Sequence, residues 1–123
     1  MRCLRVFGNT GGLVEFLLDT GSPSSVLALI DFKKVGGDFR ELRPTSLKLT
    51  HLKGYQVSCR LFEGPILGFG TDGQVSVEMD QIFVPEEELW APSLLGLDFL
   101  RKSQWEFRYN YDQNLCELIA EGI

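Results

Sequence analysis

Short runs with a period of two dominate this chain and leave room for little besides β-structure. Leu47 and Leu49 alternate with Lys48 and Thr50. Val57, Cys59 and Leu61 alternate with Ser58 and Arg60, and Val75, Val77 and Met79 with Ser76, Glu78 and Asp80. Alternation of this kind sets one face of a strand on a core and the other in water. After Asp80 the phase blurs at Ile82-Phe83-Val84, which suggests a bulge. Trp105, Phe107, Tyr109 and Tyr111 form a last stripe against Glu106, Arg108 and Asn110, read as a buried face rather than a ligand platform.

Turn residues join these runs. Residues 2–7 and 13–18 read as strands on either side of Gly8-Asn9-Thr10-Gly11-Gly12. Asp112-Gln113-Asn114 turns the chain into residues 115–119, a terminal hairpin. Residues 35–45 are polar and Gly-rich and read as a surface loop. Helical patterning is confined to residues 24–34, with Ser24 or Ser25 as cap, and to residues 97–102. The expected fold is therefore all-β, with one or two short helices in a single barrel-like domain over residues 1–123.

Charge and composition narrow the function. A chain of 123 residues with 44% hydrophobic residues can bury a core. A net charge of −5 gives no basic face for nucleic acid, and argues weakly against anionic membrane surfaces. No apolar stretch approaches the ~18–20 residues that cross a bilayer. Met1-Arg2-Cys3 leads straight into a strand, so no signal peptide is expected. Cys3, Cys59 and Cys116 are odd in number and unpatterned, and His51 is the only histidine. That argues against a zinc site and for reduced thiols in a cytoplasmic setting. His51 reads as a surface or half-buried residue with no catalytic role.

One motif carries chemistry. The apolar run Leu13-Val14-Glu15-Phe16-Leu17-Leu18 ends in Asp19-Thr20-Gly21-Ser22. A carboxylate just past a buried strand is costly unless something holds it. Gly21 permits a sharp turn, and Thr20 and Ser22 bring hydroxyls. Asp19 is thus a candidate catalytic acid or base, although Asp and Gly are also ordinary turn residues. Downstream lie Gly64-Pro65-Ile66-Leu67-Gly68-Phe69-Gly70-Thr71-Asp72-Gly73, and then Leu94-Leu95-Gly96-Leu97-Asp98-Phe99-Leu100.

This order resembles the retropepsin family of single-lobed, retroviral-type aspartic proteases, more closely its non-viral members. The resemblance runs from about residue 5 to residue 119, and it implies a closed acid-protease barrel with a flap hairpin. It implies an aspartic endopeptidase acting on peptide or protein substrates without metal or organic cofactor. Two carboxyl groups held close together share one proton; the ionised one takes a proton from water and the protonated one donates towards the carbonyl. This chain offers no second match, since Thr71-Asp72-Gly73 permutes the letters and Asp98 falls in an expected helix. The second Asp19 should come from a two-fold-related copy in a homodimer.

By the same resemblance Thr20 buttresses the facing loops and Gly21 approaches the carboxylate. Ser22 donates to the carboxylate and favours its charged form, which predicts a more acidic rate optimum than alanine would give. The flap tip falls at Gly68, Phe69, Gly70, Thr71, Asp72 and Gly73, closing over substrate, although a plain hairpin loop is an alternative for that segment. Leu17, Val26, Leu29, Ile66, Phe69 and Val84 are candidate subsite walls, or simply core. Two further readings stand beside the protease: a catalytically weak or silent dimerisation or peptide-binding module of this fold, and a β-barrel interaction domain carrying a chance motif.

Overall fold

The computed structural model describes residues 2–3, 5–6, 13–51, 53–69, 75–88, 92–110, 112 and 115–119, with the backbone alone described at 2–3, 5–6, 75, 106–110 and 115–119. The chain runs through β1 (Arg2–Cys3), β2 (Arg5–Val6), β3 (Val14–Leu18), α1 (Leu29–Lys34), a 3-10 turn (Phe39–Glu41), β4 (Arg43–Thr50) and β5 (Gln56–Glu63). It continues through β6 (Ile66–Phe69), β7 (Val75–Glu78), β8 (Gln81–Pro85), β9 (Ser93–Leu95), α2 (Leu97–Ser103), β10 (Glu106–Asn110) and β11 (Leu115–Ile119). The strands assemble in the orders β1-β3-β9, β2-β6-β7, β4-β5-β8 and β10-β11. They form small sheets rather than a closed barrel among the described residues, which corrects the expected closure.

A paired corner explains the small sheets. The ribbon of β5 and β6 breaks at Gly64-Pro65, and that of β7 and β8 breaks opposite it at Met79-Asp80. Gly64 sits at φ +65°, a left-handed backbone that glycine adopts without penalty. Its N–H donates to Asp80 O at 3.0 Å, and Met79 N–H donates to Pro65 O at 2.9 Å. Beyond the corner both strands change partners: β5 pairs with β8, and β6 with β7. The blurred phase after Asp80 is this change of sheet.

The expected helix over residues 24–34 is shorter, covering only Leu29–Lys34. Tertiary bonds claim the backbone before it. Val26 N–H donates to Leu94 O at 2.9 Å, Leu94 N–H returns to Val26 O at 2.7 Å, and Leu27 N–H donates to Phe83 O at 2.9 Å. Those groups are thereby unavailable for i to i−4 bonding, so residues 24–28 stay extended. The expected surface loop over residues 35–45 likewise contains the 3-10 turn and the start of β4.

The main core joins Val14 and Phe16 of β3, Leu27, Phe32 and Val35 around α1, Leu67, Phe69, Ile82 and Val84 from the ribbon, and Leu95 and Phe99. Phe69, Phe99 and Trp105 pack as a triad with ring centroids 5.1–5.6 Å apart. Burying each large apolar side chain contributes about 1.5–3 kcal/mol. The backbone pairing of β10 with β11, from Glu106 opposite Ile119 to Asn110 opposite Leu115, closes the description. Tyr111 of the aromatic stripe and Gln113 and Asn114 of the expected terminal turn lie outside the described residues.

Candidate active site

Asp19 stands where β3 ends, and β9 decides where that is. β3 and β9 run parallel, with Leu17 opposite Leu94 and Leu18 opposite Leu95. Asp19 N–H extends the ladder by donating to Leu95 O at 2.9 Å. The chain then turns: Ser22 N–H donates to Asp19 O at 3.1 Å, and Gly21 N–H donates to Oδ1 of the Asp19 carboxylate at 3.0 Å. Among the described residues, Gly21 N–H is the group that donates to that carboxylate. A Cβ at Gly21 would lie 3.3 Å from Oδ1, so the close approach needs glycine or a local shift. Asp19 is half-buried, while Thr20 and Gly21 are exposed. The carboxylate is therefore oriented by a backbone N–H and, being only half-buried, can be reached by a water or a second group.

Ser22 does not do what was expected of it. Its hydroxyl donates to Ser24 O at 2.8 Å, so its one hydrogen is spent within the loop and not on Asp19. The expectation of a hydroxyl favouring the charged Asp19 is corrected accordingly.

The loop is fastened from beneath by residues to which single-sequence reasoning gave no such role. Leu97 N–H donates to Ser22 O at 2.9 Å, and Gly96 packs so closely that a Cβ there would lie 2.5 Å from the same oxygen. Ser25, fully buried, donates its hydroxyl to Asp98 Oδ1 at 2.6 Å and accepts Gly96 N–H at 3.0 Å. Ser93, also fully buried, donates to Asp31 Oδ2 at 2.6 Å and accepts Ala28 N–H at 2.9 Å. The available signal was a polar residue inside an apolar run, since a buried hydroxyl or carboxylate needs a partner.

The expected flap divides. Gly68 and Phe69 are described, and both are buried; Phe69 is 6% exposed against Phe99 and Trp105. Gly70, Thr71, Asp72 and Gly73 lie outside the described residues. Of the expected subsite walls, Leu29, Phe69 and Val84 are core, Ile66 and Val26 are half-buried, and Leu17 is 56% exposed beside Asp19. A second hairpin has different properties. β4 and β5 pair antiparallel down to Thr50 opposite Gln56, and β4 is exposed along most of its length. At its tip His51 and Tyr55 stack 4.4 Å apart, and Gly54 takes φ +93° in open space. At its base Leu49, Cys59 and Leu61 pack with Phe83 and with Val26. Burial pushes the Cys59 thiol up from its ordinary value, so it stays protonated and packs as an apolar group.

A cavity of about 320 Å³ lies elsewhere, lined by Phe32, Asp38, Glu41, Leu42, Arg43 and Glu63 among others, and no residue of the Asp19 loop lines it. Among the described residues no three His, Cys, Asp or Glu side chains gather as a metal site, and no helix is long and apolar enough to cross a membrane.

This arrangement of strands around an Asp-Thr-Gly turn is the fold of the retropepsin-like aspartic proteases. A retropepsin-like aspartic protease from Rickettsia conorii superposes with a TM-score of 0.66 at 23% identity, covering 94% of this chain and 80% of that one. The retroviral protease-like domain of Ddi1 from Leishmania major gives 0.63 at 15% identity, over 100% and 90%. The EIAV protease in complex with the inhibitor HBY-793 gives 0.61 at 16% identity, over 82% and 83%. At these identities the likeness is one of fold. No family model matches the chain, and no curated protein matches it in sequence.

Proposed function

We propose that this chain is an aspartic endopeptidase whose catalytic dyad is made of Asp19 and the Asp19 of a second copy. The observation that carries the reading is the seat of Asp19: it follows a strand anchored in the core by Val14 and Phe16, it is tied through its own N–H to Leu95 O, and its carboxylate is held by Gly21 N–H. The half-buried carboxyl leaves room for the Asp19 of a symmetry mate. Two such carboxyls a few ångströms apart share one proton, because both cannot ionise cheaply side by side. The ionised partner takes a proton from a water held between them, and the water oxygen attacks the peptide carbonyl carbon. The protonated partner donates to the carbonyl oxygen. No step calls for a metal or organic cofactor. Exposed Thr20 lies at the point of contact between the two loops.

Burial of Gly68 and Phe69 favours the β4–β5 hairpin as the cover over substrate, in place of the segment from Gly68 to Gly73. Its base shares Val26 with the segment that follows Asp19, and at its tip Lys53, Gly54 and Tyr55 are exposed. A peptide lying extended beneath it would add as a strand, with Leu17 and Val26 offering apolar contacts.

The test is binding of a pepstatin-type statine peptide followed by sedimentation. The reading expects a hydroxyl-bearing inhibitor to bind one per two chains and to shift the protein towards dimer. A saturable complex of one inhibitor per monomer would contradict it.

A further inference from the structure

We propose that Asp98 is a positioning residue for Asp19, holding the loop that carries it in register with β9; the inference rests on the reading of Asp19 as the catalytic group. Three donors converge on the two oxygens of Asp98. Ser25 hydroxyl reaches Oδ1 at 2.6 Å, Phe99 N–H reaches Oδ1 at 2.7 Å, and Ser25 N–H reaches Oδ2 at 2.9 Å. Asp98 and Ser25 are 73 residues apart in sequence, so this contact joins two distant segments. The Ser25 oxygen accepts Gly96 N–H at 3.0 Å, which returns the connection to the residue packed against Ser22 O. Asp98 N–H itself donates to Pro23 O at 3.3 Å. The whole turn from Asp19 to Ser25 is thus bracketed, by Leu95 at its start and by Asp98 at its end.

An ionised carboxylate suits this place and an amide does not. Three donors need an acceptor-only group, and the NH2 of asparagine would set a donor against Ser25 N–H. Hydrogen bonds to a charged group are also the stronger kind. Loss of the bracket should leave the core intact, because Phe99 and Leu95 belong to the main apolar cluster and Asp98 does not. It should let the Asp19 turn move by a fraction of an ångström to an ångström, and a displacement of that size far from the reacting atoms can cost about 10²-fold in turnover.

Asp98→Asn and Ser25→Ala are compared with wild type by residue-resolved amide exchange and by turnover of a peptide from a cleavage site found in casein. The expected result is exchange faster by on the order of ten- to a hundredfold at Asp19, Ser22 and Gly96 in both variants. Amides along β4 should be unchanged, and kcat should fall by more than KM changes, since the moved turn carries the reacting carboxylate. If Asp98→Asn does not fold, Ser25→Ala decides alone by the amides of Asp19 and Ser22, because it takes the acceptor of Gly96 N–H away directly. Unchanged exchange at the three amides, an equal increase at all amides, or unchanged kcat overturns the proposal. A wild-type chain that cleaves nothing would overturn the function instead, while the exchange measurement still decides for or against Asp98.

Discussion

Ser93 donates its hydroxyl hydrogen to the carboxylate of Asp31 at 2.6 Å, and its oxygen accepts the N–H of Ala28 at 2.9 Å. The serine is fully buried, so each partner depends on it. Ser93→Ala would leave Ala28 N–H without an acceptor in a buried place. The expected cost is about 1–3 kcal/mol, read as a shift of the urea midpoint at constant m-value. An unshifted midpoint would show that water or a backbone movement replaces the hydroxyl.

Ser22→Ala is expected to leave the pH–rate profile where it is. The hydroxyl hydrogen goes to Ser24 O, so no proton-donating contact with Asp19 is lost. Stability should fall by about 0.5–1.5 kcal/mol, the net worth of one ordinary hydrogen bond. An alkaline displacement of the rate optimum in Ser22→Ala would show that the hydroxyl turns to the carboxylate in the working enzyme.

Gly96→Ala should be among the most damaging single substitutions. The new Cβ would sit 2.5 Å from Ser22 O and 2.9 Å from the Ser24 carbonyl, and both obstacles are backbone. Overpacking of this kind costs about 1–3 kcal/mol and sometimes more. Here the strain falls on the Asp19 loop, so thermal unfolding and turnover should suffer together. Gly54→Ala makes a useful contrast, because it meets no atom within 4 Å and its penalty, from φ +93°, is purely one of backbone conformation.

The two candidate covers respond differently. Phe69→Ala should cost about 3–5 kcal/mol as an aromatic core deletion and act through stability. In the pepstatin complex, exchange at the Gly54 amide at the β4–β5 tip should slow by at least about tenfold, while Leu67 and Phe69 should not change. Protection confined to the β6–β7 side would restore the flap to the glycine-rich segment.

How much of this was legible beforehand depends on the range of the interaction. The run from Leu13 to Leu18 and the turn at Asp19 are local features, and the structure has the strand and the turn there. The alternating runs marked the end of β4, β5 and β7 for the same reason. Residues 24–28 looked helical because their apolar spacing fits a helix, yet bonds to Leu94 and Phe83, far away in sequence, outweigh that preference. The family resemblance put a flap tip at residues 68–73, and nothing local revealed that Phe69 would close the triad with Phe99 and Trp105. The pairs Ser25–Asp98 and Ser93–Asp31 span 73 and 62 residues. Each residue announced only a need for a partner, not which one.

The measurement that bears most directly on the central claim is turnover of an unfolded protein such as casein by wild type and by Asp19→Asn at matched folding and dimer content. The account predicts cleavage by wild type, and loss of it in Asp19→Asn with the unfolding midpoint little changed, because Asp19 is half-buried and, among the described residues, its carboxylate takes the Gly21 N–H alone. Undiminished cleavage by Asp19→Asn would contradict it.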